Sequence, residues 1–370
     1  MSASARETLL TAAAAAGIVG AGGGGRPVGA GLTARPYRRL IVNAAQSEPL
    51  FAKDWAALAH FPDCVFDGAR LVVEALGLAQ AGIAVREEFL PHLPGLAARA
   101  RAQGLAVMRL PDRYPLGYAP LLKREVLGVA GEGEAGAETL VLNAETVRNL
   151  SWAVRHQRAL CTKLLSVAGA VRRPLTLSVP LGTPFADCLA LAGGAPEGYA
   201  LWRDGALSGQ RVDPDACWVD AATFGYLVLP PDHPLLALEA QDAAAQRLAS
   251  RRADFLRATA AGRTQPMSAA CALFGLTAYH RPRPEYQPLR AADARPEPLR
   301  LVPVPGHGPL EPCVDVGAAV RRGQLVALQP GNAGLRLHAS VDGVVETSTS
   351  DGVAIVRSVS CGQGVCHASA

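Results

Sequence analysis

The spacing of apolar residues in the first 160 positions alternates between two periods. Segments with apolar side chains at helical spacing are followed by short apolar runs typical of buried strands. Helices are predicted for residues 3–16, 66–80, 94–103 and 145–156, and strands for residues 39–44, 83–87, 105–110 and 139–143. Such alternation predicts an α/β layer architecture for this part of the chain.

The pattern changes after residue 160. Strand-like runs at residues 165–170, 174–179 and 218–228, with one predicted helix at 184–192, indicate a small β-rich domain. The remaining segments are a charged helical stretch at 235–261, a Pro/Arg-rich linker at 281–298, Gly-punctuated short strands at 299–357 and a loose tail. We therefore expect the chain to end in an all-β module followed by that tail.

Composition narrows the class of protein. With 49% hydrophobic and 18% charged residues, the chain is typical of globular proteins. A net charge of +4 without basic runs, and 5% aromatic residues, argue against a nucleic-acid partner. The eight cysteines form no C-x-x-C pair, so a reducing cytoplasm is expected. The apolar amino-terminal stretch ends in a run of glycines, so we expect neither an export signal nor a membrane span.

Residues 20–25 read GAGGGG and contain a G-x-G-x-x-G match. Glycines at this spacing let backbone N–H groups approach a phosphate closely. A Rossmann-type site requires a strand directly before the loop, whereas an alanine-rich predicted helix precedes it here. The motif alone leaves phosphate binding and a structural loop both open.

Longer blocks around this loop are recognisable. GIVGAGGGGRPVGAGL and RLIVNAAQSEPL, then LPDRYPLGY, TLVLNAETVRNL and GYLVLPPDHPL, occur in the order found in the RnfC family of flavin and iron–sulfur electron carriers. The chain resembles this family, and within it the RnfC-like cobalamin reductases (PduS-like proteins) of propanediol-utilisation microcompartments. The resemblance runs through nearly the whole chain.

The resemblance implies a division into domains. It predicts an α/β flavin-type domain like the complex I flavoprotein subunit, a soluble-ligand-binding β-grasp (SLBB) domain, a vestigial ferredoxin-like helical region with a linker, and a barrel-sandwich hybrid (lipoyl-like) domain. The expected bounds are residues 1–160, 161–232, 233–296 and 297–358, followed by the tail 359–370.

In the family, the glycine loop and its flanks hold FMN beside a site for NADH. The positions carried over as cofactor-binding are Gly20, Gly22, Gly23, Gly25, Asn43, Glu48, Asn143 and Thr146, and Arg26 is added to them as a replacement cation. Departures from the family pattern are Arg26 for Phe, Gly31 for the Lys that meets the FMN phosphate, Gln46-Ser47 for Glu-Cys, Tyr118-Ala119 for an Asp-Glu pair, and Leu142 for Asn. Loss of a cation weakens phosphate binding, although Arg26 or Arg35 can replace the charge. FMN therefore stays open, NADH turnover is expected to be weakened, and no catalytic residue is assigned.

The family's cluster motifs are degraded. CALFGLTAYHRP aligns on C-x2-C-x2-C-x3-C-P as Cys271, Phe274, Thr277 and Arg281, and the second motif is missing. An iron–sulfur cluster needs about four cysteine ligands, so none is expected. The turn at residues 338–343 has no lysine for a lipoyl or biotinyl group, and Cys361, Cys366 and His367 fall short of a metal-ligand set. No metal site is therefore predicted.

Two functions follow from these observations. In the first, the chain is an RnfC/PduS-like electron-transfer-family protein without iron–sulfur clusters, redox-weakened or inactive, that acts by ligand or partner binding. In the alternative, it is an FMN-dependent NADH:acceptor reductase whose acceptor is cobalamin or a protein. Expected partners are a redox or microcompartment protein and a small ligand such as cobalamin at the β-grasp domain. The expected location is the cytoplasm, in association with a microcompartment or peripherally with a membrane complex.

Overall fold

The structure is a computed structural model, and it describes residues 3–46, 48–128, 133–206, 209–236, 250, 253–255, 257–258, 261–281, 284–289, 298–330 and 334–357. Most of the charged helix predicted at 235–261 lies outside these residues. The predicted tail, with Cys361, Cys366 and His367, lies entirely outside them. No helix in the described ranges combines the length and apolar character needed to cross a membrane.

The first 156 positions form a four-stranded parallel sheet with helices around it. Its elements are α1 (Ala3–Ala15), α2 (Val28–Thr33), β1 (Arg39–Ala44), α3 (Lys53–His60), α4 (Pro62–Leu76), β2 (Gln80–Arg86), α5 (Leu96–Ala102), β3 (Ala106–Leu110), the short β4 (Arg113–Tyr114), α6 (Ala119–Leu127), α7 (Glu134–Ala137), β5 (Thr139–Asn143) and α8 (Ala144–His156). The strand order is β3-β2-β1-β5, so the direction of strand addition reverses between β1 and β5. In α/β sheets, ligands bind at the carboxyl edge of such a reversal.

Helix packing on this sheet depends on one close approach. Gly68 of α4 faces α8, where a Cβ on Gly68 would lie 1.8 Å from the carbonyl oxygen of Val147. α1 buries Leu9 and Ala13 in the same core. The alanine-rich amino-terminal helix is therefore part of the folded core.

A six-stranded sheet of mixed direction follows. Its elements are β6 (Thr162–Gly169), β7 (Leu175–Pro180), α9 (Phe185–Leu191), β8 (Ala200–Arg203), β9 (Gln210–Val212), β10 (Gly225–Leu229) and, after β11 (Gln265–Pro266) and α10 (Met267–Leu273), the edge strand β12 (Tyr286–Pro288). The order is β12-β7-β6-β10-β8-β9. β11 instead pairs with β4 of the first part of the chain.

The last described region has two small antiparallel sheets. Their strands are β13 (Leu299–Leu301), β14 (Glu311–Pro312), β15 (Ala319–Val320), β16 (Leu325–Gln329), β17 (Leu335–His338), β18 (Gly343–Thr349) and β19 (Gly352–Arg357). The orders are β13-β19-β18-β15 and β14-β16-β17. The described residues between 298 and 357 contain strands and turns, as the Gly-punctuated pattern predicts.

Some sequence interpretations were wrong in detail. The strand predicted at 218–228 begins only at Gly225, because the Asp220 carboxylate accepts hydrogen bonds from the N–H groups of Ala222 and Thr223 and makes a turn there. The linker predicted at 281–298 contains β12, an edge strand, where Pro288 is tolerated. Helix α3 was missed because its charged residues Lys53 and Asp54 are buried.

Candidate functional site

The glycine loop connects α1 to α2 and closes on itself as a narrow hairpin. Gly20 N–H donates to the Arg26 carbonyl over 2.9 Å, and Val28 N–H donates to the Ile18 carbonyl over 3.0 Å. Ala21 N–H donates to Thr146 Oγ1 over 2.9 Å. Thr146 lies in the first turn of α8, which begins directly after β5. The loop is thereby tied to the carboxyl end of β5.

Three glycines of the loop each pack against a different part of the chain. A Cβ on Gly22 would lie 2.6 Å from Asn143 Oδ1, and one on Gly23 would lie 2.7 Å from the Phe224 ring. A Cβ on Gly25 would lie 2.4 Å from Val304 Cγ1. Gly23 and Gly25 also have positive φ angles of 94° and 58°, which side chains rarely adopt. Packing and backbone conformation therefore favour glycine at Gly23 and Gly25, whereas a side chain at Gly22 would displace only the Asn143 amide.

The remaining side of the loop is open. A Cβ on Gly24 would meet nothing within 4 Å, and both Gly22 and Gly24 are exposed. Within the described residues, the N–H groups of the exposed Gly22 and Gly24 donate to no acceptor. Arg26, which is also exposed, follows directly. Free N–H groups next to a cation suit an oxyanion such as a phosphate.

Two asparagines mark the ends of the strands under the loop. Asn43 and Asn143 are register partners on β1 and β5. Asn43 Nδ2 donates to the Gly117 carbonyl over 2.8 Å, and its Oδ1 accepts the Ala45 N–H over 3.0 Å. Asn143 makes no capping hydrogen bond to α8, and its amide packs on Gly22. Asn43 thus fixes the turn after β4, whereas the Asn143 amide lies beside the glycine loop.

Glu48 and Gln46 occupy the segment after β1. Glu48 is fully buried and packs on the turn after β8, where a Cβ on Gly205 would lie 2.4 Å from its Oε2. Gln46 has a φ of 48°, and its buried Oε1 has no hydrogen-bond partner in the described part of the chain. Glu48 therefore joins this segment to the six-stranded sheet.

The structure brings together most of the residues selected from the sequence. Gly20, Gly22, Gly23, Gly25, Arg26, Asn143 and Thr146 form one group, Asn43 lies one strand away, and Glu48 is directed to Gly205. Sequence reasoning missed Phe224, Ala222 and Val304, which pack on the loop from later parts of the chain. No local sequence signal marks these three residues, because they are far from the loop in sequence.

A buried charged network lies directly behind Thr146. Glu145 Oε2 is 2.6 Å from Lys163 Nζ and 3.5 Å from Lys53 Nζ, and Glu145 Oε1 is 3.7 Å from Arg148 Nη2. Lys53 also pairs with Asp54 over 3.0 Å, and all five side chains are at most 2% exposed. The network joins α3 and α8 to β6.

Electrostatics keep the centre of this network ionised. Burial raises the pKa of Glu145, but the charges of Lys163, Lys53 and Arg148 outweigh burial, and the pKa lies below its ordinary value. Burial lowers the pKa of Lys163 despite its contact with Glu145. Three cations therefore surround two carboxylates in the protein interior.

Of the four positions that align with the cluster motif, Cys271 and Phe274 lie in an apolar core, whereas Thr277 and Arg281 are exposed. Cys271 on α10 is buried with Met267, and burial raises the pKa of its thiol to about 11. Phe274 is fully buried and packs edge-on against Phe255, with 5.6 Å between ring centroids. No group of three or more His, Cys, Asp or Glu side chains that could hold a metal ion occurs among the described residues.

Two domain models match the chain. The Nuo51 FMN-binding domain matches residues 13–152, and the SLBB domain matches residues 164–210. The glycine loop, Asn43, Asn143 and Thr146 all lie inside the first match. The second match covers most of β6 and all of β7, α9 and β8.

The chain also has curated relatives. It is 34% identical to cobalamin reductase PduS of Citrobacter freundii over 242 residues, covering 64% of this chain and 53% of that protein. It is 29% identical over 233 residues to a protein of the ion-translocating oxidoreductase complex of Rhodobacter capsulatus, covering 60% of this chain and 45% of that protein. The chain thus spans about half the length of the curated relatives it matches.

A solved structure shares the fold. A chain of an NAD+-reducing NiFe-hydrogenase in the air-oxidized state superposes with a TM-score of 0.53 at 21% identity, covering 77% of this chain and 64% of that chain. At this level of identity the similarity shows the fold alone.

Proposed function

We propose, from the premise that this chain is related to the RnfC/PduS-like proteins and contains a Nuo51 FMN-binding domain and an SLBB domain, that it is an electron-transfer-family protein without iron–sulfur clusters. It binds FMN at the glycine loop, is redox-weakened relative to its relatives, and acts by binding a ligand or a partner. The free N–H groups of the exposed Gly22 and Gly24, in the loop beside Asn143, are the observation that carries this proposal.

The residues present fit FMN. The loop N–H groups and the Arg26 guanidinium would hold the phosphate, while the Asn143 amide offers a donor and an acceptor beside the loop. Bound FMN would supply one- and two-electron transfer chemistry. This chain's contribution is to bind and orient the cofactor at the carboxyl edge between β1 and β5.

Weakened redox chemistry is proposed from the groups around this edge. Tyr118, at the amino terminus of α6, is 56% exposed and, with Ala119, replaces the acidic pair of the family. Neither side chain offers a carboxylate to a nicotinamide cofactor, so NADH turnover is proposed to be low. The buried aromatic Phe274 at a ligand position of the cluster motif favours the absence of an iron–sulfur relay. No lipoyl or biotinyl group is proposed.

Finer domain assignments belong to the same proposal. Residues 1–160, 161–232, 233–296 and 297–358 are proposed as the flavin-type, β-grasp, vestigial ferredoxin-like and barrel-sandwich hybrid units. The separate sheets around β1, β6 and β18 support this division, although β12 adds residues 286–288 to the second sheet.

The proposed partner is a redox or microcompartment protein, and the proposed ligand of the β-grasp domain is a small molecule such as cobalamin. Both proposals rest on relatives named as a cobalamin reductase and as part of an ion-translocating oxidoreductase complex. The proposed location is the cytoplasm, in association with a microcompartment or peripherally with a membrane complex.

The alternative function, an FMN-dependent NADH:acceptor reductase without clusters, uses the same flavin site. The exposed carboxyl edge at Tyr118 favours it, because a second cofactor has access there. One measurement distinguishes the two functions. NADH added without oxygen bleaches the visible absorbance of bound FMN if the chain is a reductase, and leaves it unchanged if the redox chemistry is lost.

Gly24→Asp should abolish FMN binding without unfolding the protein. The Cβ would enter open space, so the fold tolerates it, but the new carboxylate would face the phosphate across the loop N–H groups. We expect at least a hundredfold weaker binding, about 3 kcal/mol, measured by quenching of FMN fluorescence on titration.

Ala102→Asp is the matched control, because it adds the same charge at an exposed position at the end of α5, just before β3 and so at the opposite edge of the sheet from the loop. Screened by solvent, it should weaken FMN binding by about threefold or less. Equal losses in the two variants, or no flavin bound by the wild type at saturating FMN, would contradict a phosphate site at the loop.

Gly31→Lys should strengthen FMN binding. The resemblance places the phosphate-binding lysine at this position, which is exposed and where a Cβ meets nothing within 4 Å. One additional charge-assisted contact should lower the dissociation constant about tenfold at low salt, with a smaller gain at high salt. Gly31→Ala, the control without charge, should leave affinity unchanged. If Gly31→Lys does not strengthen FMN binding even at low salt, the phosphate does not bind at this end of the loop.

A further inference from the structure

Phe224 links the glycine loop to the β-grasp sheet. A Cβ built on Gly23 would lie only 2.7 Å from Cε1 of the Phe224 ring. The same ring packs edge-on against Phe51, with 6.0 Å between the ring centroids. Phe51 in turn packs on Gly225, where a Cβ would lie 2.3 Å from the ring. Phe224 is 8% exposed and directly precedes β10. The ring thus fills the space between the loop and the segment after β1.

The backbone around Phe224 is held by two carboxylates. Asp204 Oδ1 accepts the Phe224 N–H over 2.8 Å, and Asp220 Oδ1 accepts the Ala222 N–H over 2.8 Å. Arg203 joins them, with Nη2 2.6 Å from Asp220 Oδ2 and Nε 3.3 Å from Asp204 Oδ2. Asp204 itself has a positive φ of 65°. The segment at residues 222–224 is therefore tied to the end of β8.

Ala222 and Phe224 contact the loop at different glycines. The Ala222 Cβ lies 3.2 Å from the position of a Cβ on Gly25, and the Phe224 ring covers Gly23. One cluster of Arg203, Asp204 and Asp220 therefore fixes both contacts. The conformation of the loop between Gly22 and Gly25 depends on this part of the β-grasp sheet.

We infer that Phe224 is a positioning residue for the glycine loop: by covering Gly23 it fixes the conformation of the loop, so that the β-grasp sheet sets FMN affinity. The inference rests on the proposed binding of FMN at that loop. Because coupling between two sites is reciprocal, a ligand that shifts residues 222–224 changes FMN affinity, and FMN changes that ligand's affinity by the same factor.

The test compares two Phe→Leu substitutions in the same part of the chain. Phe224→Leu removes ring atoms from Gly23, and the FMN dissociation constant should rise about tenfold, mainly through faster dissociation. Phe185→Leu is the control, because Phe185 is 1% exposed and packs on Tyr226 of β10, with 4.9 Å between centroids. The control should lose comparable thermal stability and keep the FMN dissociation constant within about twofold.

The comparison of the two variants tests the positioning role of Phe224 directly. Equal FMN affinities for the two variants at matched thermal stability would show that Phe224 is a core residue only, and would overturn the positioning role. Wild-type protein that binds no FMN would sink the proposed function itself, and the positioning role with it. If Phe224→Leu fails to fold, Phe224→Met keeps more side-chain volume over Gly23 and should raise the dissociation constant by a few-fold, with no change overturning the role.

Discussion

Glu145→Gln should lower the free energy of unfolding by about 3–5 kcal/mol, the largest loss we expect from a single polar substitution in this chain. The amide keeps the shape of the side chain and can still accept the Leu164 N–H, which donates to Glu145 Oε1 over 2.8 Å. It removes the negative charge that Lys163, Lys53 and Arg148 share. Among the described residues, Asp54 would then be the one carboxylate paired with these three buried cations, and a buried charge without a counter-charge is strongly destabilising.

Lys163→Met is the matched control for this network. It removes one of the three cations, leaves Glu145 paired with Lys53 and Arg148, and fills the space with an apolar side chain. Since burial already disfavours the charge of Lys163, its loss should cost less than about 1.5 kcal/mol. Urea unfolding followed by circular dichroism measures both variants. If Lys163→Met lost more free energy of unfolding than Glu145→Gln, the network would not have an excess of buried positive charge.

The same carboxylate gives the stability a defined dependence on pH. The folded pKa of Glu145 lies below its ordinary value, so its stabilising contribution is present above the unfolded pKa. That contribution is lost as the pH falls through the folded pKa. Wild-type protein should therefore lose stability in acid more steeply than Glu145→Gln, and the two unfolding free energies should converge at low pH.

The four strands of the first sheet were located from the sequence because their signals are local. Strands β1 and β5 were predicted to the residue, since each is a short apolar run between helical segments. The loop at residues 20–25 was also visible, because its glycines are adjacent in sequence. Resemblance to a family then assigned Asn143 and Thr146 to the same site, and the structure places both beside the loop.

Long-range contacts explain what the sequence did not reveal. Glu145 looked like an ordinary charge at the start of a predicted helix, and Lys163 fell outside the strand predicted at 165–170, because their pairing appears only when β6 docks on α8. Phe224 carries no motif, and it reaches the loop only in the folded chain. Glu48 shared a recognisable block with Asn43, yet it packs on Gly205, because the segment after β1 turns through residues with positive φ angles.

Thr146 lies between two contacts that α8 makes, one with the glycine loop and one with β6. Its hydroxyl accepts the Ala21 N–H of the glycine loop, and the neighbouring Glu145 anchors the helix to β6. The position of α8 is thus fixed on one side by buried charges and on the other by α4. A change in either contact should therefore shift Thr146 and with it the glycine loop, although neither contact involves a loop residue.

Gly68→Ala should be the most damaging single-methyl change in the chain, with about 3 kcal/mol lost from the free energy of unfolding. The added Cβ would lie 1.8 Å from the Val147 carbonyl oxygen and 2.6 Å from its carbonyl carbon, and both atoms belong to the backbone of α8. No side-chain rotation relieves that overlap, so α4 and α8 must separate. Because Thr146 directly precedes Val147, FMN affinity should fall as well.

Gly31→Ala makes the comparison quantitative, because it adds the same methyl group to the exposed face of helix α2, where a Cβ meets nothing within 4 Å. It should raise the unfolding free energy by about 0.5–1 kcal/mol, since alanine restricts the unfolded chain more than glycine does. Opposite signs for the two variants in urea unfolding are the expected result. If Gly68→Ala instead matched the wild type in stability and in FMN affinity, the spacing of α4 and α8 would be adjustable, and α8 would not transmit its position to the loop.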